Sequence, residues 1–544
     1  MSTDLVALPV PRSPGRPGPV RLVATLTGSG LRSFVRSPVA AFFTVGMPLL
    51  FLIFIGALFG NEVIEPRNGV RTAQFFTPAL AAFGAAQAAF CVLASDTALM
   101  RERGVFRRLG GTPAPAWAVL AGRICSAVVV AGLTVALVIA LGVAAYDVQI
   151  LWRTAPAALV TLLVGVASFA ALGLAVAAVV RSAPAVQALT NGLLVSAAFI
   201  SDVFTVGGRM PGWLDRLAWF LPLKHFANPL SDAFNPYLAG NGFAAGHLAF
   251  LAGWGLIGAL VAIRLFRMEP RAASTGRAAA VAVPANRGLG ITTPGRPGPG
   301  RSLHTQIRYA LTDLRRDASS VFFAVIFPVL LLALFPVLMA GGAEREQAAA
   351  LMLPAMMAYG VAVIAFVTLP APIAQARERG VLARLAGTPM PRWAYAAGRV
   401  CAALVAATAT ALGLLLVAAL GFGVPLDAAR LPAAAVTFLL GILCFAALGF
   451  AVLALVRNAQ TVIAVTLGTL LPLCFISDVF VIGARMPQPL AAIAEVLPLK
   501  HAVHAFRAAL EPGLGGTGFA WADLAVLLAW TAAAILVTRR VSWR

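Results

Sequence analysis

Twelve stretches of about twenty consecutive apolar residues recur along this chain, and they limit its fold more than any other feature. Twenty helical residues span about 30 Å, the thickness of a bilayer's hydrocarbon core. The stretches run over about 39–60, 73–95, 122–145, 155–180, 184–206 and 246–266, then about 319–340, 349–372, 398–420, 431–456, 459–482 and 520–538. A soluble core can bury one or two helices of this kind, not a dozen. Inside hydrocarbon every backbone N–H and C=O must bond within its own segment, so the expected fold class is an all-α polytopic membrane protein. Composition agrees: 60% of residues are hydrophobic and 11% are charged, against about a quarter charged in soluble chains.

The net charge of +21 would suggest nucleic acid as a partner in a soluble protein. Here the arginines border the apolar blocks, and no basic amphipathic helix is evident, so orientation in a membrane explains them better. Nucleic acid is therefore not an expected partner. Cys91, Cys125, Cys401, Cys444 and Cys474 are scattered through apolar segments without a C-x-x-C pair, which fits small buried hydrophobes in reduced form.

The chain repeats itself. Arg101-Glu102-Arg103-Gly104 returns as Arg377-Glu378-Arg379-Gly380, a shift of 276 residues. The same shift relates Trp117 to Trp393, Gly122-Arg123 to Gly398-Arg399, Arg181 to Arg457, Ile200 through Phe204 to Ile476 through Phe480, and Leu221 through His225 to Leu497 through His501. Near the start of each half, Arg36, Phe42-Phe43 and Pro48 match Arg316, Phe322-Phe323 and Pro328 at a shift of 280. Chance similarity between apolar segments cannot hold one register through so many polar residues and prolines. The expected organisation is a disordered cytoplasmic arm (1–30), a six-span repeat (31–267), a Pro/Gly/Arg-rich cytoplasmic linker (268–303) and a second six-span repeat (304–544). Arg32, Arg36, Arg101, Arg103, Arg107, Arg108, Arg181 and Arg264 fall on one side in the first half, and Arg377, Arg379, Arg384, Arg457, Arg539 and Arg540 match them in the second. Positive-inside bias then puts both termini in the cytoplasm and makes the two repeats parallel.

Two connections carry polar residues. Residues 96–109 read as one amphipathic cytoplasmic helix ended by Gly110-Gly111, with Glu102 and Arg103 facing water or a partner; residues 372–385 are its copy. Either it fixes topology or it docks a cytoplasmic protein. Retention of Glu102 and Glu378 favours docking, because topology needs only the arginines. The connection after the fifth span of each half holds Asp202, Lys224 and His225, with Asp478, Lys500 and His501 as counterparts. It is too proline-broken for a span and too apolar for a free loop, so broken helices dipping into the outer face are expected. Its ionisable residues either line a substrate path or anchor the membrane interface by snorkelling. No metal site is expected: His501 and His504 lack a third ligand, and Asn228 stands where His504 has its counterpart. The chain's two lysines, Lys224 and Lys500, follow Leu-Pro-Leu rather than a glycine-rich turn, so no Walker phosphate cradle exists and the chain itself is not expected to be an enzyme.

These motifs, their order and their duplication resemble the permease subunits of ABC type-2 transporters, such as the daunorubicin-exporter permease. The resemblance covers nearly the whole chain apart from the arm and linker. It matches the family's amphipathic elbow to 31–43 and 309–323, its ATPase-contacting helix to 96–109 and 372–385, and its outer proline-rich stretch to 209–225 and 485–501. Family members usually hold one six-span unit and pair, so two units in one chain imply an internal pseudo-dimer. The resemblance implies a bacterial cytoplasmic-membrane exporter of hydrophobic or amphiphilic compounds, such as a drug or antibiotic, with no cofactor bound by this chain. ATP and Mg would act in a separately encoded ABC ATPase, two copies per chain, with membrane lipid as the surroundings. An exporter of lipid or lipid-linked glycan, and an ion-coupled secondary transporter, are the rival expectations. Asn191 against Leu467, Asn228 against His504 and Ser231 against Arg507 imply that the two halves do not line a path equally.

Overall fold

The computed structural model describes residues 18–59, 61–64, 69–111, 115–204, 211–265, 299–340, 344–388, 390–480, 487–514 and 516–539. The arm through residue 17, linker residues 268–298, and the Arg209-Met210 and Arg485-Met486 pairs lie outside them. The described elements are helical except for a two-residue antiparallel ladder, Val63–Ile64 with Val70–Arg71. Twelve helices among the described residues are long and apolar enough to cross a membrane. They are, in order, Pro38–Ala57, Thr72–Glu102, Trp117–Tyr146, Ala155–Val179, Ala183–Ile200 and Ala245–Leu265, then Ala318–Leu338, Glu344–Glu378, Trp393–Gly421, Ala428–Leu455, Ala459–Ile476 and Trp521–Arg539, hereafter spans one to twelve. Each overlaps a stretch read from the sequence, and the chain is an all-α polytopic membrane protein.

Both repeats begin earlier than residues 31 and 304. An amphipathic helix, Pro19–Val35, starts inside the region expected to be a disordered arm, and its copy Pro299–Arg316 starts inside the expected linker. Proline is pre-organised for a first helical turn, and the apolar face then packs on the start of the third span of its half. The fit is close: a Cβ on Gly122 would come within 2.6 Å of Leu26 Cβ, and one on Gly398 within 2.6 Å of Gln306 Cβ. Arg301, His304, Arg308, Arg315 and Arg316 are exposed along Pro299–Arg316. The chain therefore does carry a basic amphipathic helix, contrary to the sequence expectation. It leads directly into span seven, a position suited to an interfacial helix.

Span two and its copy, span eight, form the axis of each half and are almost wholly buried. Each contains a π-helical stretch at the same place, Gln87–Val92 and Val363–Thr368. The fourth span of each half runs against that stretch through a glycine. A Cβ on Gly173 would sit 2.8 Å from the Phe90 carbonyl oxygen, and one on Gly449 3.0 Å from that of Ala365. Small residues that let backbones approach are how helices pack where lipid offers no hydrophobic drive.

The halves meet through the first span of one and the fifth span of the other. Phe42 of span one lies against Gly468 of span eleven, and further along both helices Phe54 stacks on Phe475 with centroids 4.8 Å apart. Span one thus runs in the same direction as span eleven. Spans seven and five repeat the contact, with Phe322 against Gly192 and Phe335 against Phe199. Since the first and fifth spans of a half share a direction, the two repeats are parallel.

Candidate functional site

At one end of the bundle, Arg101 and Glu102 close the last turn of span two. Arg101 donates from Nη1 to the Ala177 carbonyl (2.5 Å) and from Nη2 to those of Val180 (2.6 Å) and Arg181 (3.1 Å). Such carbonyls lack helical partners at the end of any helix, here span four. Glu102 Oε1 accepts from the Ala183 amide (2.6 Å), the first N–H of span five. A cation at a helix C-terminus and a carboxylate at an N-terminus both complement the helix dipole, by about 0.3–1 kcal/mol each. The second half repeats each bond: Arg377 reaches Leu453 (2.9 Å), Val456 (2.5 Å) and Arg457 (3.0 Å), and Glu378 accepts from the Ala459 amide (2.7 Å). Two adjacent side chains of opposite charge thus hold the turn between two further spans.

This geometry corrects the expectation for 96–109. It is not one helix, because span two continues through Glu102 and then breaks at Gly104 (φ +65°), as its copy breaks at Gly380 (φ +67°). Left-handed backbone costs other L-residues about 1–2 kcal/mol, so glycine belongs at both breaks. Short helices Val105–Gly110 and Val381–Ala386 follow. Phe106 is buried, while Arg103, Arg107 and Arg108 are exposed, as are Arg379 and Arg384 in the second copy. Glu102 and Glu378 each give one carboxylate oxygen to the start of span five or span eleven, and both residues remain exposed. The sequence also gave no sign that Arg123 pairs with Asp96 (2.6 Å) while its counterpart Arg399 pairs with Asp313 (2.7 Å), which lies on the second amphipathic helix.

At the other end, the expected broken helices are present. Gly212–Phe220 and Lys224–Ala233 follow span five, and Gln488–Ala494 and Pro498–Leu510 follow span eleven. Lys224 is buried and pairs with Asp215 (2.6 Å) and Asp202 (3.8 Å), so it does not snorkel. Lys500 pairs with Glu495 (2.5 Å), and that contact holds the Glu495 carboxyl below its ordinary range. Asp202 and Asp478 both adopt left-handed backbone, φ +59° and +56°.

The two histidines differ in partner. His225 Nε2 faces the Trp219 carbonyl (2.6 Å) and must donate there, which leaves Nδ1 to accept from His247 Nδ1 (2.9 Å). His501 Nε2 likewise faces the Glu495 carbonyl (2.8 Å), but its Nδ1 faces Asp523 (2.6 Å), which stands where the first half has His247. Burial is the main cause pushing the His225 pKa down, with His247 and Lys224 adding to it against the Trp219 bond. The folded chain therefore holds fewer protons at His225 than the unfolded chain. Its contribution to stability is complete above the ordinary histidine pKa of 6.5 and is lost as pH falls below it. Taking the wild type from about pH 7.5 to about pH 5.5 should lower its melting temperature more than it lowers that of His247→Asp, which gives protonated His225 a carboxylate.

Nine aromatic rings that sequence reading passed over join the halves. Phe51 contacts Phe204 (4.6 Å) and Phe475 (4.8 Å), Phe475 contacts Phe480 (5.3 Å), and Phe480 contacts Tyr359 (5.6 Å). Tyr359 contacts Phe327 (6.1 Å), Phe327 contacts Phe199 (6.4 Å), and Phe199 returns to Phe204 (5.0 Å). The circuit is closed, with Phe54 and Phe335 packed on its Phe475 and Phe199 corners. Span two is packed within its own half; Phe83 and its counterpart Tyr359 bring it to this circuit. Away from the circuit, among the described residues the first half alone joins spans two and five by a half-buried amide pair, Gln87 to Asn191 (2.9 Å).

The sequence model of the ABC-2 type transporter family matches residues 21–235 and again residues 302–510. The chain belongs to this family. Two matches in one chain make it a tandem fusion of two permease units, a membrane component of ABC transport. The first match begins within Pro19–Val35 and the second within Pro299–Arg316, so the amphipathic helices are part of the permease units. No curated protein matches the chain.

Proposed function

We propose that this permease forms both membrane halves of an ATP-driven exporter for hydrophobic or amphiphilic compounds, drug-like or antibiotic molecules foremost. The paired clamp carries the reading. Arg103, Arg107 and Arg108 in one half, and Arg379 and Arg384 in the other, give a separately encoded ABC ATPase a basic surface under each half, hence two ATPase copies. ATP and Mg are used in that partner. The arginine-rich end faces the cytoplasm of a bacterial cell, with both termini on that side.

Span five links the two ends. Ala183 at its start is held by Glu102, and Phe199 near its finish stands in the aromatic circuit. Eighteen helical residues, Ala183–Ile200, make a rod of about 27 Å. Span eleven does the same between Glu378 and Phe475. When the ATPases close, the short helices move, the clamps carry the starts of spans five and eleven with them, and the rods draw Phe199 and Phe475 apart. An apolar opening between the halves suits an apolar passenger, since few charges lie in the spans to compensate a charged one.

The experiment is co-expression with an ABC ATPase from a neighbouring reading frame. The ATPase should co-purify with the chain at two copies per chain and hydrolyse ATP faster with an amphiphilic compound present. An ATPase that neither co-purifies nor changes its rate refutes the proposal.

A further inference from the structure

The two halves have diverged together at one place. At the 276-residue shift, Gln74, Phe234 and Tyr237 correspond to the smaller Ala350, Leu510 and Gly513, while Leu151, Thr154 and Asn235 correspond to the charged Asp427, Arg430 and Glu511. The register is secure, because Thr154 and Arg430 each immediately precede the fourth helix of their half and each abuts a left-handed glycine, Gly242 or Gly518. In the first half the region is closed by hydrogen bonds. Gln74 donates to the carbonyls of Gln149 (2.9 Å) and Phe234 (2.7 Å), and Thr154 to that of Ala233 (2.5 Å). In the second half it is a cavity of about 240 Å³ walled by Asp427, Arg430, Glu511, Pro512 and Gly513.

Arg430 exposes only 8% of its side chain. Its Nη1 donates to the Glu511 carbonyl (3.2 Å), while its Nε stands 3.5 Å from Asp427 Oδ2, an ion-pair contact that does not make a hydrogen bond among the described residues. A buried guanidinium N–H with only a long contact to a carboxylate is incompletely compensated, and an incoming oxygen anion at hydrogen-bond distance would compensate it. Glu511 is paired with Arg507 (2.9 Å), so the four side chains sum to zero charge. A lone anion or a lone cation would unbalance them, whereas a zwitterion would not. The cavity lies where spans ten and twelve start. Trp521, exposed and stacked on Phe519 at 4.9 Å, marks that level as the membrane interface.

From this geometry we infer that the second half alone holds a site for the phosphate–ammonium head of an ethanolamine phospholipid. The phosphate sits on Arg430, and the primary ammonium donates to Asp427 and Glu511. A choline head has no N–H to donate, and a glycerol head has no cation. The site is independent of what the permease exports.

The test uses the full chain in nanodiscs containing equal fractions of phosphatidylethanolamine, phosphatidylcholine and phosphatidylglycerol, with retained lipid counted by mass spectrometry. Phosphatidylethanolamine should be retained about tenfold over each of the others, as one charge-assisted hydrogen bond would give. Arg430→Thr with Glu511→Asn installs the first half's residues and should remove the preference. Equal retention of the three lipids by the wild type overturns the site without reference to any variant. Unchanged preference in the double variant overturns the assignment to Arg430 and Glu511. Soluble glycerophosphoethanolamine at millimolar concentration should leave the bound lipid in place; displacement would reassign the site to a free zwitterion and overturn the lipid.

Discussion

Glu102→Ala combined with Glu378→Ala should abolish ATPase-stimulated export while the permease still reaches the membrane in normal amounts. Each substitution deletes the acceptor of a single helix-start amide, Ala183 or Ala459. Loss of a helix cap costs about 0.5–2 kcal/mol, a modest amount for a bundle of twelve spanning helices. The expected effect on coupling is disproportionate, because the same bond ties the end of span two to the rod formed by span five. Arg101 and Arg377 still hold the fourth span of each half, so the fold keeps one arm of each clamp. Export from membrane vesicles, normalised to immunoblotted permease, measures the outcome. Undiminished export at equal abundance refutes the clamp as the coupling element, and export that falls only in proportion to abundance reduces the glutamates to a structural role.

The second large effect is expected at the opposite end. Phe199→Ala with Phe475→Ala removes one ring from each rod, and these two rings carry six of the contacts joining the circuit and its corners. Truncating a packed phenylalanine costs about 3–5 kcal/mol where the site cannot collapse. The gap also falls on the line where the halves meet. Proteoliposomes with the double variant should leak an impermeant dye about ten times faster than wild type without any ATPase, an apparent seal loss of about 1.4 kcal/mol. Leucines at both positions fill more of the space and should restore most of the seal. Vesicles as tight as wild type with the double alanine variant would show that the circuit seals nothing.

Much of this architecture was legible because hydrocarbon leaves a chain few choices. A segment in lipid must bond its own backbone, so span number and approximate limits follow from apolar length, and the Arg-Glu-Arg-Gly repeat fixes the duplication. Long-range partners were not legible. Glu102 looks like a surface charge in sequence because its partner, the Ala183 amide, is eighty-one residues away and has no side-chain signature. Gly104 resembles any glycine near a helix end until its φ of +65° shows that span two stops there. The amphipathic helices were misplaced for a different reason: the proline that starts each one sits in Pro/Gly-rich sequence that resembles linker, and the packing surface that orders it lies on the third span of its half.

The connections after the fifth span of each half show the same division. Proline placement revealed broken helices, and the rarity of lysine singled out Lys224 and Lys500. Nothing local indicated that His247 occupies the place Asp523 has in the second half, which decides whether the neighbouring histidine faces a ring or a carboxylate. The aromatic circuit was invisible because each member is an ordinary phenylalanine or tyrosine in an apolar segment. Only the parallel contact of spans one with eleven and seven with five brings them together.

That parallel arrangement is the central claim, and cysteine labelling from one side tests it most directly. In a chain whose five native cysteines are replaced by alanine, a single cysteine is placed at Arg103, Arg379 or the exposed Trp213 at the opposite end of the bundle. An impermeant maleimide added to intact cells should label the Trp213 position and spare both arginine positions until the membrane is opened. Labelling of one arginine position but not the other in intact cells would place the two clamps on opposite faces and contradict the account.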